Sequence, residues 1–288
     1  MEAELESQVF QQKRQQISSI PSIKFQTSFE ELCNKHELLA TGIEKIDSLL
    51  QLTPGDRLAV VGNRKYSQIL VTRLCVNALL SSPTKKKNQQ ERSRYFYTPN
   101  VLVVDAGNSM DFYQYVNFAR QYFRRDVIIS RVLNNTILTR CFTVYQLADI
   151  VINQLPKVIQ QYEAKLVVVS DLLDMFVRDP QIETNEATYL INEIVNSITR
   201  SKALENVLVI VSLPFRNVSS NSDNVKPCIS YNKMVHTRFD KSIEITDIEN
   251  SVIDIKMRNN SKKTRDSCNG KLLSINKSDL LTVSAPTK

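Results

Sequence analysis

The sequence predicts an α/β fold: a twisted, mostly parallel sheet with helices on both faces and antiparallel edge strands near the C-terminus. Three observations predict it. Four short runs of apolar residues are continuous, which is typical of strands buried on both faces. Segments with apolar residues at helical spacing lie between these runs. Alternating apolar and polar residues follow the last run, as in strands with one exposed face.

The spacing of apolar residues predicts the order of strands and helices along the chain. The buried strands are predicted at residues 57–62, 101–104, 166–169 and 207–211. Helices are predicted at 43–50, 67–80, 110–123, 144–162 and 187–200, and a further short strand at 127–132. The alternating C-terminal strands are 241–245, 252–257 and 272–275. Residues 81–100 and 216–232 are polar and are predicted to be long loops, which in a compact domain are candidates for function or disorder.

The composition excludes several classes of protein. The 288 residues include five glycines, whereas average usage would give roughly twenty, so an intact phosphate-cradling glycine loop is not expected. Five cysteines without metal-ligand spacing and two histidines indicate a reduced, metal-free protein. No apolar run reaches about 18 residues, so we expect neither secretion nor a membrane span. The expected location is the cytoplasm, with association with the nucleoid if the source is prokaryotic.

Several stretches, taken in order, resemble the RecA/RadA recombinase superfamily over residues 38–280. Residues 39–50 (LATGIEKIDSLL) are similar to the family's entry segment, and 54–62 (PGDRLAVVG) to the strand before its phosphate loop. Residues 101–105 (VLVVD) are similar to the strand that carries its catalytic acid, 166–171 (LVVVSD) to its Walker B strand, and 207–214 (VLVIVSLP) to the strand before its second DNA-binding loop. The resemblance implies a RecA-like core.

The phosphate loop departs from the pattern that binds ATP. The motif G-x-x-x-x-G-K-[ST] places backbone N–H groups around the phosphates and a lysine beside them. Here the stretch is Gly62-Asn63-Arg64-Lys65-Tyr66-Ser67-Gln68, which is two residues shorter and lacks the second glycine. Two interpretations remain: an adapted nucleotide site that uses Gly62, Lys65, Ser67 and Gln68, or a shortened turn from strand to helix.

The other parts of the ATPase site depart from the family as well. No glutamate follows Asp105, although residues 105–110 (DAGNSM) are similar to a D-G-G/A-N-S-F variant of archaeal RecA-like proteins. Asp105 either caps the next helix or holds a cation. Ser170 stands at the Walker B position with Asp171 one residue later, which in a strand would point Asp171 to the other face. Leu213 and Pro214 replace the family's Asn-Gln pair. Because phosphoryl transfer depends on positioning and charge, ATP hydrolysis is not expected, and no ATP or Mg²⁺ cofactor is assigned.

The net charge of +7 favours an anionic partner, and DNA is the candidate that the resemblance implies. Residues 216–288 contain 13 Lys plus Arg and 8 Asp plus Glu, so most of the excess lies there. Two further clusters lie at 85–97, where five basic residues precede three aromatic ones, and at 120–131; each is either a nucleic-acid surface or a plain solvent-exposed face. The proposed DNA-binding residues are Arg216, Lys226, Tyr231, Lys256, Arg258, Lys262, Lys263 and Arg265.

The N-terminal part is divided into a polar extension, 1–24, and a linker with an entry helix, 25–50, before a core at 51–288. Recombinases assemble through a Phe-x-x-Ala segment in this region, and Phe25 and Ser28 have a similar spacing. Phe25 therefore either contacts a neighbouring protomer or anchors its own core. Taken together, these features predict a non-hydrolysing recombinase paralogue that binds DNA, preferably single-stranded, or a recombinase filament, and assists recombination or repair. The alternatives are a divergent ATPase and a RecA-fold scaffold without nucleic acid.

Overall fold

The computed structural model describes residues 40–80, 100–122, 126–214, 225–249, 251–259 and 270–282. Within these residues one sheet has eight strands: β1 (Arg57–Gly62), β2 (Asn100–Asp105), β3 (Thr136–Arg140), β4 (Ala164–Ser170), β5 (Leu208–Pro214), β6 (Lys241–Glu249), β7 (Val252–Asn259) and β8 (Lys271–Asn276). Their order across the sheet is β3-β2-β4-β5-β1-β6-β7-β8. The four buried strands and the three C-terminal strands expected from the sequence are confirmed.

The sheet is parallel from β3 to β6 and antiparallel from β6 to β8. Strand β1 pairs in parallel with both β5 and β6, so it lies inside the sheet. Strand β7 pairs antiparallel with β6 on one side and with β8 on the other. Parallel strands that share a direction end at the same edge of the sheet, so β1, β2, β4 and β5 bring the residues that follow them together.

Helices cover both faces of the parallel part. They are α1 (Glu44–Leu50), α2 (Arg64–Leu80), α3 (Phe112–Tyr122), α4 (Asp126–Asn134), α5 (Val144–Asp149), α6 (Leu155–Tyr162), α7 (Asp174–Arg178), α8 (Thr184–Arg200), α9 (Val225–His236) and α10 (Lys277–Leu281). Alternate residues of β1, β2, β4 and β5 are buried in two different cores, one on each face of the sheet. Leu58 and Val60 pack with α2, whereas Ala59 and Val61 pack with the helices of the other face. This two-sided burial is why the strands read as continuous apolar runs.

The prediction of a strand at 127–132 is wrong, because these residues form α4. Ile129 and Val132 are three positions apart and pack against the same core, which is a helical spacing. The strand is β3, which begins two residues after α4 ends and contains three β-branched residues, Thr136, Ile137 and Thr139. As an edge strand it is only partly buried, so it lacks the continuous apolar signature of its neighbours.

The other boundary differences involve prolines. The predicted loop at 216–232 is wrong from Val225 onward, where α9 begins; Pro227 lies in its first turn, where a backbone N–H has no intrahelical partner anyway. The predicted helix at 144–162 contains a π-helical stretch, Ile150–Gln154, between α5 and α6. Pro156 explains it, since a proline disrupts the regular helical hydrogen bonding of the preceding turn.

The segment before β1 is joined to the core through α2. Ile43, Ile46 and Leu50 are buried in the same core as α2. The carboxylate of Asp47 accepts hydrogen bonds from the backbone N–H of Thr41 at 2.6 Å and of Gly42 at 3.0 Å. These contacts fix the turn that the sequence predicted before α1. No helix in the described part of the chain has the length and apolar character needed to cross a membrane.

Candidate functional site

The residues expected for a nucleotide site meet at the carboxyl edge of the parallel strands. Gly62 ends β1, Asp105 ends β2, and Asp171 follows β4 directly. In open α/β sheets, the crevice outside the carboxyl ends of the strands is the usual place for a ligand. Gly62, Asp105 and Asp171 therefore lie at the same edge of the sheet.

Gly62 is required by the packing of two strands. Its φ is +143°, and a Cβ at this position would collide with the backbone carbonyl of Ile245 in β6. Asn63 then begins α2 as its cap, since its side-chain oxygen accepts a hydrogen bond from the N–H of Lys65 at 3.0 Å. This cap occupies one of the helix N-terminal N–H groups that an anion would otherwise use.

The remaining phosphate-loop candidates do not converge on one point. The Lys65 side chain is exposed, and its ammonium lies 5.9 Å from the centre of the Tyr66 ring. Ser67 is buried, and its hydroxyl has no hydrogen-bond partner among the described residues. Gln68 is half-buried. The cation at the centre of the crevice is instead the guanidinium of Arg64, which was not among the predicted site residues.

Arg64, at the start of α2, contacts the residues that follow β2 and β4. Its Nε lies 2.7 Å from Oδ2 of Asp171, and its Nη2 lies 3.8 Å from Oδ2 of Asp174. The same Nη2 donates a hydrogen bond to the carbonyl of Gly107 at 2.7 Å. The side chains of Asp171 and Asp174 are 1% and 3% exposed, whereas that of Arg64 is 35% exposed. The guanidinium thus covers two buried carboxylates.

The position of Asp171 corrects the expectation that its side chain points to the other face of the sheet. Strand β4 ends at Ser170, and Asp171 has a φ of +52°, outside the strand conformation. The Asp171 N–H donates to the Ser212 hydroxyl at 2.8 Å, and that hydroxyl donates to Oδ1 of Asp171 at 3.2 Å. Burial raises the pKa of the Asp171 carboxyl, and the hydrogen bond from Ser109 and the charge of Arg64 oppose this rise.

The Asp105 carboxylate holds the turn between β2 and α3. It is fully buried and accepts the backbone N–H groups of Ser109 at 2.9 Å and Met110 at 3.2 Å. Arg140, at the end of β3, lies 3.6 Å from it. Both oxygens are therefore used by the protein itself. Asp105 does not cap α3, which was one of the two expected roles, because the first turn of that helix is capped by Asp111, whose Oδ1 accepts the N–H of Tyr113 at 2.8 Å.

The charges at this edge balance one another. Three aspartates, Asp105, Asp171 and Asp174, are paired with three arginines, Arg64, Arg140 and Arg178, and the last lies 3.1 Å from Asp174. The resemblance implies a Mg²⁺-bound nucleotide here, but the residues present do not fit it. The helix cap is taken by Asn63, and the carboxylates are taken by arginines. Within the described part of the chain, no group of three or more His, Cys, Asp or Glu residues could hold a metal ion.

The proposed DNA-binding residues have different outcomes. Tyr231 is 4% exposed and packs in the core of α8 and α9, so its ring is not available to stack on a base. Lys256 and Arg258 lie on β7, both half-buried, with Arg258 3.8 Å from Glu244. Lys226 belongs to α9, but its side chain lies outside the described residues. Four other DNA-binding candidates lie outside the described residues: Arg216, Lys262, Lys263 and Arg265. The two oligomerisation candidates, Phe25 and Ser28, lie outside them as well.

A groove of about 300 Å³ lies at the edge of the sheet beside β3. It is lined by Arg140, Phe142, Gln146, Asp149, Ile150 and Gln154. Phe142 is 77% exposed, and the nearby Tyr145 and Tyr189 are 56% and 63% exposed. The Tyr145 hydroxyl donates to Oε1 of Glu186 at 2.8 Å, which places this aromatic surface beside acidic side chains.

The residues that hold the edge together gave only weak signals in the sequence. Arg64 directly precedes the lysine that the motif drew attention to, and Ser212 lies inside a buried apolar strand. A polar residue in an otherwise apolar strand is a signal for a buried hydrogen bond. A scan against protein-family models finds no match for this chain. A search of curated proteins finds no significant match either.

Proposed function

We propose that the chain is a non-hydrolysing RecA-like recombinase paralogue that binds DNA or a recombinase filament and assists recombination or repair. The order of strands and helices, in which β1 lies inside the sheet and leads into the position of the family's phosphate loop, supports this proposal. So does the grouping of Gly62, Asp105 and Asp171 at one edge. No resident ATP or Mg²⁺ is part of the proposal.

The observation that carries the proposal is the engagement of Arg64 with Asp171 and Asp174. A nucleotide-dependent site needs free N–H groups, a cation for the phosphates and a carboxylate for Mg²⁺. Here the carboxylate beside β4 is 2.7 Å from an arginine of the same chain, and the start of α2 is capped by Asn63. The geometry therefore favours an inactive paralogue over a divergent ATPase.

A nucleotide-binding measurement separates these two functions. We expect no saturable binding of fluorescent ATP with Mg²⁺ to the full chain. We also expect Lys65→Ala to leave every measured property unchanged, since the Lys65 side chain is exposed. Saturable ATP binding with turnover that is lost in Lys65→Ala would establish the divergent ATPase instead.

The DNA-binding part rests on charge. Most of the net charge of +7 lies in residues 216–288. These residues include Lys256 and Arg258 on β7, and Lys262 and Lys263, which are predicted to contact DNA. We expect gel shifts with single-stranded DNA at about 50 mM salt that weaken strongly at about 200 mM. Lys262→Glu with Lys263→Glu should lower the slope of log affinity against log salt by about 2.

A matched control keeps the change in net charge constant. Lys157→Glu with Lys165→Glu reverses two exposed lysines, of α6 and of the amino end of β4. These lysines lie outside residues 216–288, and three strands (β5, β1 and β6) separate β4 from β7, so this pair should leave DNA binding nearly unchanged. An equal loss in both double variants would mean that net charge alone governs binding, and absence of a shift at low salt would remove DNA from the proposal.

The exposed aromatic surface favours the scaffold without nucleic acid as the second candidate. Phe142, Tyr145 and Tyr189 are exposed, and the Tyr145 hydroxyl is hydrogen-bonded to Glu186. Acidic side chains such as Glu186 repel DNA phosphates. Exposed aromatic residues are enriched at protein interfaces. A chain that shifts no DNA at low salt and binds no recombinase filament, but forms a complex with another protein that Phe142→Ala weakens, would establish this candidate.

A further inference from the structure

We infer that the Arg64 guanidinium is a built-in cation that takes the place of the Mg²⁺-nucleotide at the carboxyl edge, so that this edge is assembled without any ligand. The inference concerns what holds the site together and does not depend on DNA binding. It begins from the disagreement between the group that the resemblance implies and the residues present.

The ligand set around Arg64 is one that suits a hard cation. Two carboxylate oxygens and one backbone carbonyl, from Asp171, Asp174 and Gly107, surround the guanidinium. Carboxylate and carbonyl oxygens are the usual ligands of divalent cations such as Mg²⁺ and Ca²⁺. An arginine fits the same oxygens through several N–H donors in a fixed plane.

The surrounding backbone is shaped to admit the guanidinium. A Cβ on Gly107 would lie 2.5 Å from Cβ and Oδ2 of Asp171 and 2.7 Å from Nη2 of Arg64. A side chain at position 107 would therefore displace the arginine or the aspartate. Asn63, through its cap on Lys65, sets the first turn of α2 from which Arg64 extends.

The two carboxylates require a positive charge near them. Both are almost fully buried, and a buried carboxylate without a partner is costly unless it is protonated. The charge of Asp174 raises the pKa of Asp171, and the charge of Arg64 lowers it. Removal of Arg64 leaves Asp174 paired with Arg178 at 3.1 Å but takes away the cation beside Asp171. Protonation of Asp171, an added cation or the Asp171→Asn substitution should therefore stabilise the variant.

The experiment compares thermal unfolding of the full chain in four forms: wild type, Arg64→Ala, Arg64→Ala with Asp171→Asn, and Arg120→Ala. Arg120 is exposed on α3 and is the matched control. We expect Arg64→Ala to lower Tm by about 5 °C or more at pH 7. We expect the added Asp171→Asn to restore part of that loss, and Arg120→Ala to change Tm by less than about 2 °C.

Added ligands test directly whether the Arg64 guanidinium takes the place of a bound cation. Millimolar Mg²⁺, Ca²⁺ or low-millimolar guanidinium should raise Tm of Arg64→Ala more than that of wild type, and millimolar MgATP should leave the wild-type Tm unchanged. Burial raises the pKa of the Asp171 carboxyl, so the deficit of Arg64→Ala should also shrink as the pH falls and this carboxyl is protonated.

Three results would overturn the inference. The first is an Arg64→Ala chain as stable as wild type at pH 7. The second is no gain in Tm from the added Asp171→Asn; if Arg64→Ala fails to fold, the double variant must still fold. The third is stabilisation of wild type by MgATP. A chain that binds no DNA leaves all of these results unchanged, so failure of the proposed function is distinguishable.

Discussion

Replacement of Arg73 by methionine should destabilise the whole domain, although Arg73 lies far in sequence from most of its partners. Arg73 is on α2 and is fully buried. Its guanidinium donates to the carbonyls of Thr41 and Gly42 at 3.0 Å, before α1. It also donates to three carbonyls at the end of the described chain, those of Asp279, Leu280 and Thr282, at 2.8–2.9 Å.

The magnitude follows from these five hydrogen bonds. A hydrogen bond to a charged group contributes about 1.5–3 kcal/mol, but water can reach part of the freed carbonyls and methionine fills much of the space. A buried acceptor that loses its donor costs about 1–3 kcal/mol, so two or three carbonyls that stay buried account for most of the effect. We therefore expect Arg73→Met to lower the free energy of unfolding by about 3–5 kcal/mol, against a typical total of about 5–15 kcal/mol.

The assay is urea unfolding followed by circular dichroism, together with hydrogen exchange of the native protein. Exchange should increase most in residues 40–43 and 277–282, because Arg73 ties these segments to α2. Arg120→Met removes an exposed arginine from α3 and should change stability by less than about 0.5 kcal/mol. A loss below about 1 kcal/mol in Arg73→Met, or unchanged exchange in both segments, would refute the reasoning.

Three further predictions follow from single residues. Gly62→Ala should destabilise by at least about 1–3 kcal/mol in urea unfolding, because of its positive φ and the collision with Ile245; a neutral result would contradict the packing role. Burial and the charge of Arg258 lower the pKa of His236 below 6.5, so the unfolded chain binds the proton better and stability should fall as pH decreases through 6.5. His236→Gln should flatten that part of the pH profile of Tm, and an unchanged profile would exclude the assignment. Burial raises the pKa of the Cys75 thiol to about 12, so iodoacetamide should label it slowly in native protein and rapidly in urea, by peptide mass spectrometry; fast native labelling would disprove this.

The strands of the central sheet were predictable because burial on both faces imposes a composition that the sequence displays directly. Strands β1, β2, β4 and β5 are short runs rich in valine and leucine, and each was found within a few residues. Strand β3 was missed because an edge strand is only partly buried, and its neighbour α4 has enough β-branched residues to imitate a strand.

The sequence predicts which residues lie at the carboxyl edge of the sheet, but it does not predict the contacts between their side chains. Strand ends determine where Gly62, Asp105 and Asp171 lie, since parallel strands share an edge. The direction of the Asp171 side chain depends on a left-handed backbone conformation, which the strand pattern does not contain. The choice of Arg64 over Lys65 depends on where the first turn of α2 places each side chain.

The sequence by itself determined the fold class, the elements that end at the carboxyl edge, and the absence of an intact phosphate-loop motif. These properties are local or periodic, and periodic burial leaves its mark on composition. Only the tertiary structure decided that Arg64 pairs with Asp171, that Tyr231 is buried, and that Arg73 joins both ends of the described core to α2. Those contacts link residues from about 30 to more than 200 positions apart, and such pairings arise when packing excludes water and buried polar groups must find partners.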